Sequence, residues 1–123
     1  MKLFLLLGSL SAGLAVIVGA FGAHGLKHKI PVELMAVYET GVQYHFYHAL
    51  ALMLVGIIGF HMEQTLVYKA SGWLMFAGIM LFSGSLYVLA LSGIKWLGAI
   101  TPIGGLVWIV AWMCLAWALY TQY

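Results

Sequence analysis

The sequence predicts an all-α, integral membrane four-helix bundle, and three observations predict it. The eight charged side chains, Lys2, Lys27, Lys29, Glu33, Glu39, Glu63, Lys69 and Lys95, leave uncharged runs of 24, 23, 25 and 28 residues. A bilayer core about 30 Å thick takes about 20 apolar helical residues to cross, so each run can span once. The composition agrees: 65% of residues are hydrophobic, 7% are charged and the mean hydropathy is +1.08, where a soluble domain carries about 25% charged residues. The turn residues agree too, because Gly25 and Pro31, Ser92-Gly93 and Thr101-Pro102 all fall near the ends of the runs.

One domain over 1–123 is expected, with spans at about 3–23, 43–60, 68–91 and 102–120. The first apolar stretch is read as a span and not as a signal peptide, because it exceeds a signal core in length. Its small residues also suit helix packing. Ser11, Ala15, Gly19 and Ala23 recur at four-residue spacing, with Gly8 and Ala12 in a row alongside. In lipid, helices associate by close backbone approach over small side chains, so this helix is expected to be the packing centre of the bundle.

Pro31 marks the start of the second helical pattern, since proline fits a first helical turn, and Glu33 there is favourable against the helix dipole. Apolar character then continues to Met62, which as one helix would exceed the membrane. The expectation is therefore a break at Gly41, or an interfacial helix over 32–42 before the true span. The third helix follows with Trp73 as an interface anchor, and Trp96 anchors the next turn. Thr101-Pro102 reads as a cap followed by proline at the first position of the last helix. That helix carries Trp108, Trp112 and Trp117. Even spans put both termini on one side, with Lys2 and Lys69 there and Lys27, Lys29 and Lys95 opposite, too even a division to orient the chain by the positive-inside rule.

Several function classes are excluded by this economy. Four spans with short loops leave no room for a soluble catalytic domain or a nucleic-acid reader, and no nucleic-acid partner is expected. The single cysteine, Cys114, allows no internal disulfide and no cysteine-based metal site. No nucleophile stands near a base in sequence, no two carboxylates pair and no phosphate loop occurs, so an enzyme is not expected.

The candidate site residues are the polar groups within membrane reach, because ionisable side chains there are costly and mark function. His45 and His48 lie three apart and Glu39 and Gln43 four apart, spacings that share helix faces. With His24 from the end of the first helix, they are expected to form a polar cluster near one interface. Three roles are open to it: hydrogen bonding between helices, a proton or ion relay, or imidazole ligation of haem, quinone or a metal. Ser83, Ser85, Tyr87 and Thr101 are the candidate intramembrane hydroxyls, expected to bond to their own helix or a neighbour. No cofactor is identified by these residues. Membrane lipids are the expected partners, with a second copy or a larger membrane complex. Three functions follow: association within the membrane, a small oligomeric transporter using Glu39 and the histidines, or a cofactor-binding subunit.

The segments Gly19-Ala20-Phe21-Gly22-Ala23-His24-Gly25-Leu26, Tyr44 with His48-Ala49-Leu50-Ala51, Phe82-Ser83-Gly84-Ser85-Leu86-Tyr87, and Leu97-Gly98 with Thr101-Pro102-Ile103-Gly104-Gly105 occur in the order and spacing of a known family. Over nearly the whole chain the sequence resembles the domain-of-unknown-function 423 family, which includes the eukaryotic transmembrane protein 256. The resemblance implies a small four-span protein, in the cytoplasmic membrane for bacterial members. It implies no activity and assigns no catalytic residue, but it places His24, His48, Ser83 and Thr101 inside the shared motifs.

Overall fold

Each uncharged run becomes one long helix, because in hydrocarbon every backbone N–H and C=O must be bonded within its own segment. A computed structural model describes Met1–Tyr123. Helix α1 is Lys2–Leu26, α2 is Val32–Ile58, α3 is Leu66–Ser92 and α4 is Thr101–Gln122, the last preceded by a 3₁₀ turn over Lys95–Ala99. All four are long and apolar enough to cross a membrane. Two of them change winding. The last turn of α1, Gly22–Leu26, is π-wound, and α3 carries a π turn at Ile79–Ser83.

The helix ends follow local chemistry. Pro31 precedes α2 in an extended conformation, as its missing N–H and fixed φ allow. Thr65 caps α3 by accepting the Tyr68 N–H on its Oγ1 at 3.2 Å. Gly93 ends α3 with φ +71°, its N–H bonded to Leu89 O at 2.8 Å, the left-handed stop that glycine supplies without strain. Thr101 is not the cap that the sequence suggested. Ile100 holds that position, and the Thr101 hydroxyl is bonded elsewhere.

Helix α2 departs from expectation in two ways. It runs unbroken through Gly41 for 27 residues, about 40 Å at about 1.5 Å per residue, and no separate interfacial helix precedes the span. Gly41 is there for a close approach. A methyl group on it would lie 2.9 Å from the Tyr87 ring and 3.3 Å from Leu86 Cβ, so α3 crosses α2 at this point.

The packing centre is α2 and not α1. Helix α1 packs chiefly on α2, α4 chiefly on α3, and α2 and α3 join the two pairs. In the most apolar part of α2, 44% of residues are buried, against 22% in α1. The small residues of α1 serve one neighbour only. Gly8 fits against Met53 and the Ala49 carbonyl, Gly19 against Val42, and Ala15 is buried. Ala12 is half-buried, and Ala23 is exposed; the packing row ends on Gly22, which the Tyr38 ring covers. Near its start, α1 reaches α3 through Phe4, whose ring stands edge-on to Tyr68 and Trp73 at centroid distances of 6.2 and 5.5 Å.

The main core runs between α2, α3 and α4 and includes Leu52, Val55, Tyr68, Met75, Trp108, Ala111 and Leu115. Leu10, Ile17, Leu106, Ile109 and Met113 are exposed on the outside, where they meet lipid tails at no cost.

Candidate functional site

The buried polar side chains are where this bundle spends its chemistry, because a hydrogen-bonding group in hydrocarbon without a partner costs several kcal/mol. None is left without one. Four donors from one helix bond a backbone carbonyl of another. Tyr38 donates to Val18 O at 2.5 Å, Tyr68 to Val55 O at 2.8 Å, Ser83 to Gly41 O at 2.7 Å and Trp108 Nε1 to Met75 O at 3.0 Å. These bonds use the second lone pair of carbonyls already inside helices. They tie α2 to α1, α3 to α2, and α4 to α3. Ser83→Ala is expected to lower unfolding free energy by about 0.5–1.5 kcal/mol, read by circular dichroism during titration of mixed micelles with a denaturing detergent.

His48 is held by aromatic rings. Its imidazole lies on the Trp108 indole at 3.6 Å between centroids with 5° between planes, and Trp112 meets it edge-on at 6.1 Å. Its Nδ1 is 2.9 Å from Tyr44 O, and the Trp112 Nε1–H points to Nε2 at 3.2 Å. A carbonyl only accepts and an indole N–H only donates. The tautomer is therefore fixed: Nδ1 carries the proton and donates, while Nε2 keeps its lone pair and accepts. A metal or haem iron would need the same lone pair that Trp112 already occupies.

His45 sits deeper between helices. Its Nε2 is 2.9 Å from Ser11 Oγ on α1, and its Nδ1 is 2.8 Å from Tyr87 OH on α3. One imidazole thus bridges three helices. The π turn at Ile79–Ser83, closed by the Gly84 N–H on Ile79 O, shifts the register of the residues after it. Those residues include the remaining hydroxyls. Ser85 donates to Phe82 O at 2.8 Å and is 2.7 Å from Thr101 Oγ1, so Ser85 and Thr101 link α3 to the start of α4.

The polar cluster expected from the sequence does not assemble. His45 turns toward α1 and α3, and His48 toward α4. Residues three apart on a helix differ by about 60° in direction, and for a helix with neighbours on several sides that is enough to reach different ones. His24, Glu39 and Gln43 are exposed. Glu39 and Gln43 border a shallow hollow of about 200 Å³ with Gly19, Ala23 and Tyr38. No group of three His, Cys, Asp or Glu side chains is placed to hold a metal ion. Sequence reasoning missed Tyr38, Tyr68, Trp108 and Trp112 as hydrogen-bond donors. The signal available was the polar atom each carries within an otherwise apolar run.

A helical bundle of four spans whose buried polar groups, apart from Ser71 bonded within its own helix, serve to join helices defines a small multi-pass membrane protein. The chain belongs to the family described as "Protein of unknown function (DUF423)", whose pattern matches residues 18–105. It is similar to the UPF0382 membrane protein YwdK of Bacillus subtilis, with 52% identity over 115 residues covering 94% of each chain. It is also similar to the UPF0382 membrane proteins SAB0533 of Staphylococcus aureus and SH2409 of Staphylococcus haemolyticus, at 50% and 49% identity, each over 94% of this chain and 93% of the relative. No solved structure matches. The four spans and these bacterial relatives place the protein in the plasma membrane.

Proposed function

We propose that the protein is a non-enzymatic membrane component that acts by associating with a second copy of itself through the outer face of α1. The observation that carries this reading is Gly13. A glycine within a helix costs about 0.5–1 kcal/mol relative to alanine, and the other tightly placed glycines of α1 are required by a neighbour in the chain. Gly8 and Gly22 would drive a methyl group into Met53 and Tyr38. Gly13 is exposed, and a methyl group there meets no atom within 4 Å.

Ser9, Gly13 and Ala20 share that exposed face, with Ser9 and Gly13 in the small-xxx-small spacing that lets two membrane helices approach closely. The Ser9 hydroxyl is bonded to its own helix at Leu5 O, 2.8 Å away, so the face offers shape and not polarity.

Gly13→Leu is expected to convert the oligomer to monomer without unfolding the chain, because the space around Gly13 in the monomer is open. Native mass spectrometry from mild detergent reads the first effect and a thermal melt the second. A wild-type protein that is monomeric at every detergent dilution, or an oligomer that Gly13→Leu leaves intact, overturns the reading.

A further inference from the structure

Between α1 and α3, beyond the point where Phe4 joins them, the helices part and leave a crevice of about 380 Å³. Small-molecule sites span about 300–1,000 Å³. The walls are apolar: Leu7, Leu10 and Leu14 on one side, Phe76, Ile79 and Met80 on the other. Leu10, Leu14 and Met80 are exposed, so the crevice opens sideways to the bilayer. Ser11, His45 and Tyr87 are the polar residues lining it, and they are the hydrogen-bonded trio already described.

We propose that this crevice binds a neutral, lipid-phase carbonyl compound of the quinone class, its carbonyl oxygen accepting a proton that the trio has to spare. A hydroxyl carries one proton, and so does a neutral imidazole. Ser11, His45 and Tyr87 therefore hold three protons, and the two bonds among them use two. In one tautomer Tyr87 donates to Nδ1 and Nε2–H donates to Ser11, leaving the Ser11 proton free at the crevice wall. In the other, Ser11 donates to Nε2 and Nδ1–H to Tyr87, which leaves the Tyr87 proton free instead. A ligand carbonyl selects the first arrangement by accepting from Ser11.

Depth and space narrow the ligand further. His45 is the middle residue of α2, about 20 Å from either end at about 1.5 Å per residue. Ester carbonyls and phosphates stay at the membrane surface, about 15 Å from the centre of a 30 Å core. No charged side chain lines the crevice, so an anionic head gains nothing by entering. A quinone is neutral and flat, and carries its acceptor below the surface where ester carbonyls stay. Gly84 lines the same crevice, and a methyl group on it meets nothing within 4 Å; the fold does not need glycine there, whereas a flat ring lying over it does.

The test uses the whole protein in mild detergent with decylubiquinone as probe, binding being read by native mass spectrometry and by titration calorimetry. Saturable binding of one quinone per chain is expected. Gly84→Leu, which fills the crevice from open space, should weaken it at least tenfold at an unchanged melting temperature. Decylbenzene, which lacks the carbonyls, should bind at least tenfold more weakly than the quinone. Three results overturn the proposal: no saturable binding, binding that Gly84→Leu leaves unchanged, and equal binding of dioleoylglycerol, which would make the crevice a general lipid groove. None of these depends on oligomeric state, so failure here leaves self-association through Gly13 standing, and the converse holds.

Discussion

Gly104→Leu is expected to separate α3 from α4 and to be among the most damaging single substitutions in the chain. A methyl group on Gly104 would lie 2.5 Å from the Phe82 amide nitrogen and 2.8 Å from its Cα. These are backbone atoms, so no rotamer change relieves the collision and one helix must move. Insertion into a well-packed core costs about 1–3 kcal/mol, and a branched side chain against backbone belongs at the upper end. The displacement would also break the Ser85–Thr101 bond one turn away. Reversible unfolding in mixed micelles, followed by circular dichroism, reads the loss. Gly105→Leu is the control: its nearest neighbours are Phe82 ring atoms at 3.8 and 3.9 Å, and it should be tolerated. Equal stability of the Gly104→Leu and Gly105→Leu proteins would show that α3 and α4 do not approach as described.

Trp108→Ala should be comparably severe, by a different route. The Trp108 indole is 3% exposed, stacks on His48 and tilts against Phe82 at 4.7 Å. Its N–H bonds Met75 O, and its ring fills the space that Gly78 leaves in α3. Removing a buried tryptophan costs about 3–5 kcal/mol in water-soluble cores. In lipid the cavity term remains even though the transfer term shrinks, so about 2–4 kcal/mol is expected. Trp108→Phe separates the parts: it keeps an aromatic face for His48 and loses the N–H donor, and its cost should be about 1 kcal/mol. A Trp108→Phe protein as unstable as Trp108→Ala would mean that the indole N–H dominates and the stack contributes little.

The spans were legible because charge and hydropathy act one residue at a time. What was not legible depended on which helix faces which. Gly41 read as a break because a glycine in isolation weakens a helix; its real reason, the Tyr87 ring and the Ser83 hydroxyl, lies 42 or more residues away in sequence. Thr101-Pro102 had the composition of a capped start, yet the Thr101 hydroxyl was taken by Ser85 from another helix. The same limit applies to the candidate site. Ser83, Ser85, Tyr87 and Thr101 were found as hydroxyls that needed partners, and the partners proved to be Gly41, Phe82, His45 and each other. The histidines were found as unusual residues, but their company was misread, since proximity along α2 put them with Glu39 and Gln43. The π turn in α3 left no mark in the sequence, because a bulge is set by packing and not by residue type.

A ribosome completes α2 before any of α3 or α4 exists. Of the four spans α2 is the least apolar, and three of its polar partners, Ser83, Tyr87 and Trp112, follow it in the chain and have not reached the bilayer when it enters. At that moment only α1 can shelter it, through Ser11 for His45 and the Val18 carbonyl for Tyr38. His48 must wait for the last span to be synthesised before Trp108 and Trp112 arrive. Chains arrested before α4 therefore leave the His48 ring unstacked and its Nε2 lone pair without a donor in hydrocarbon.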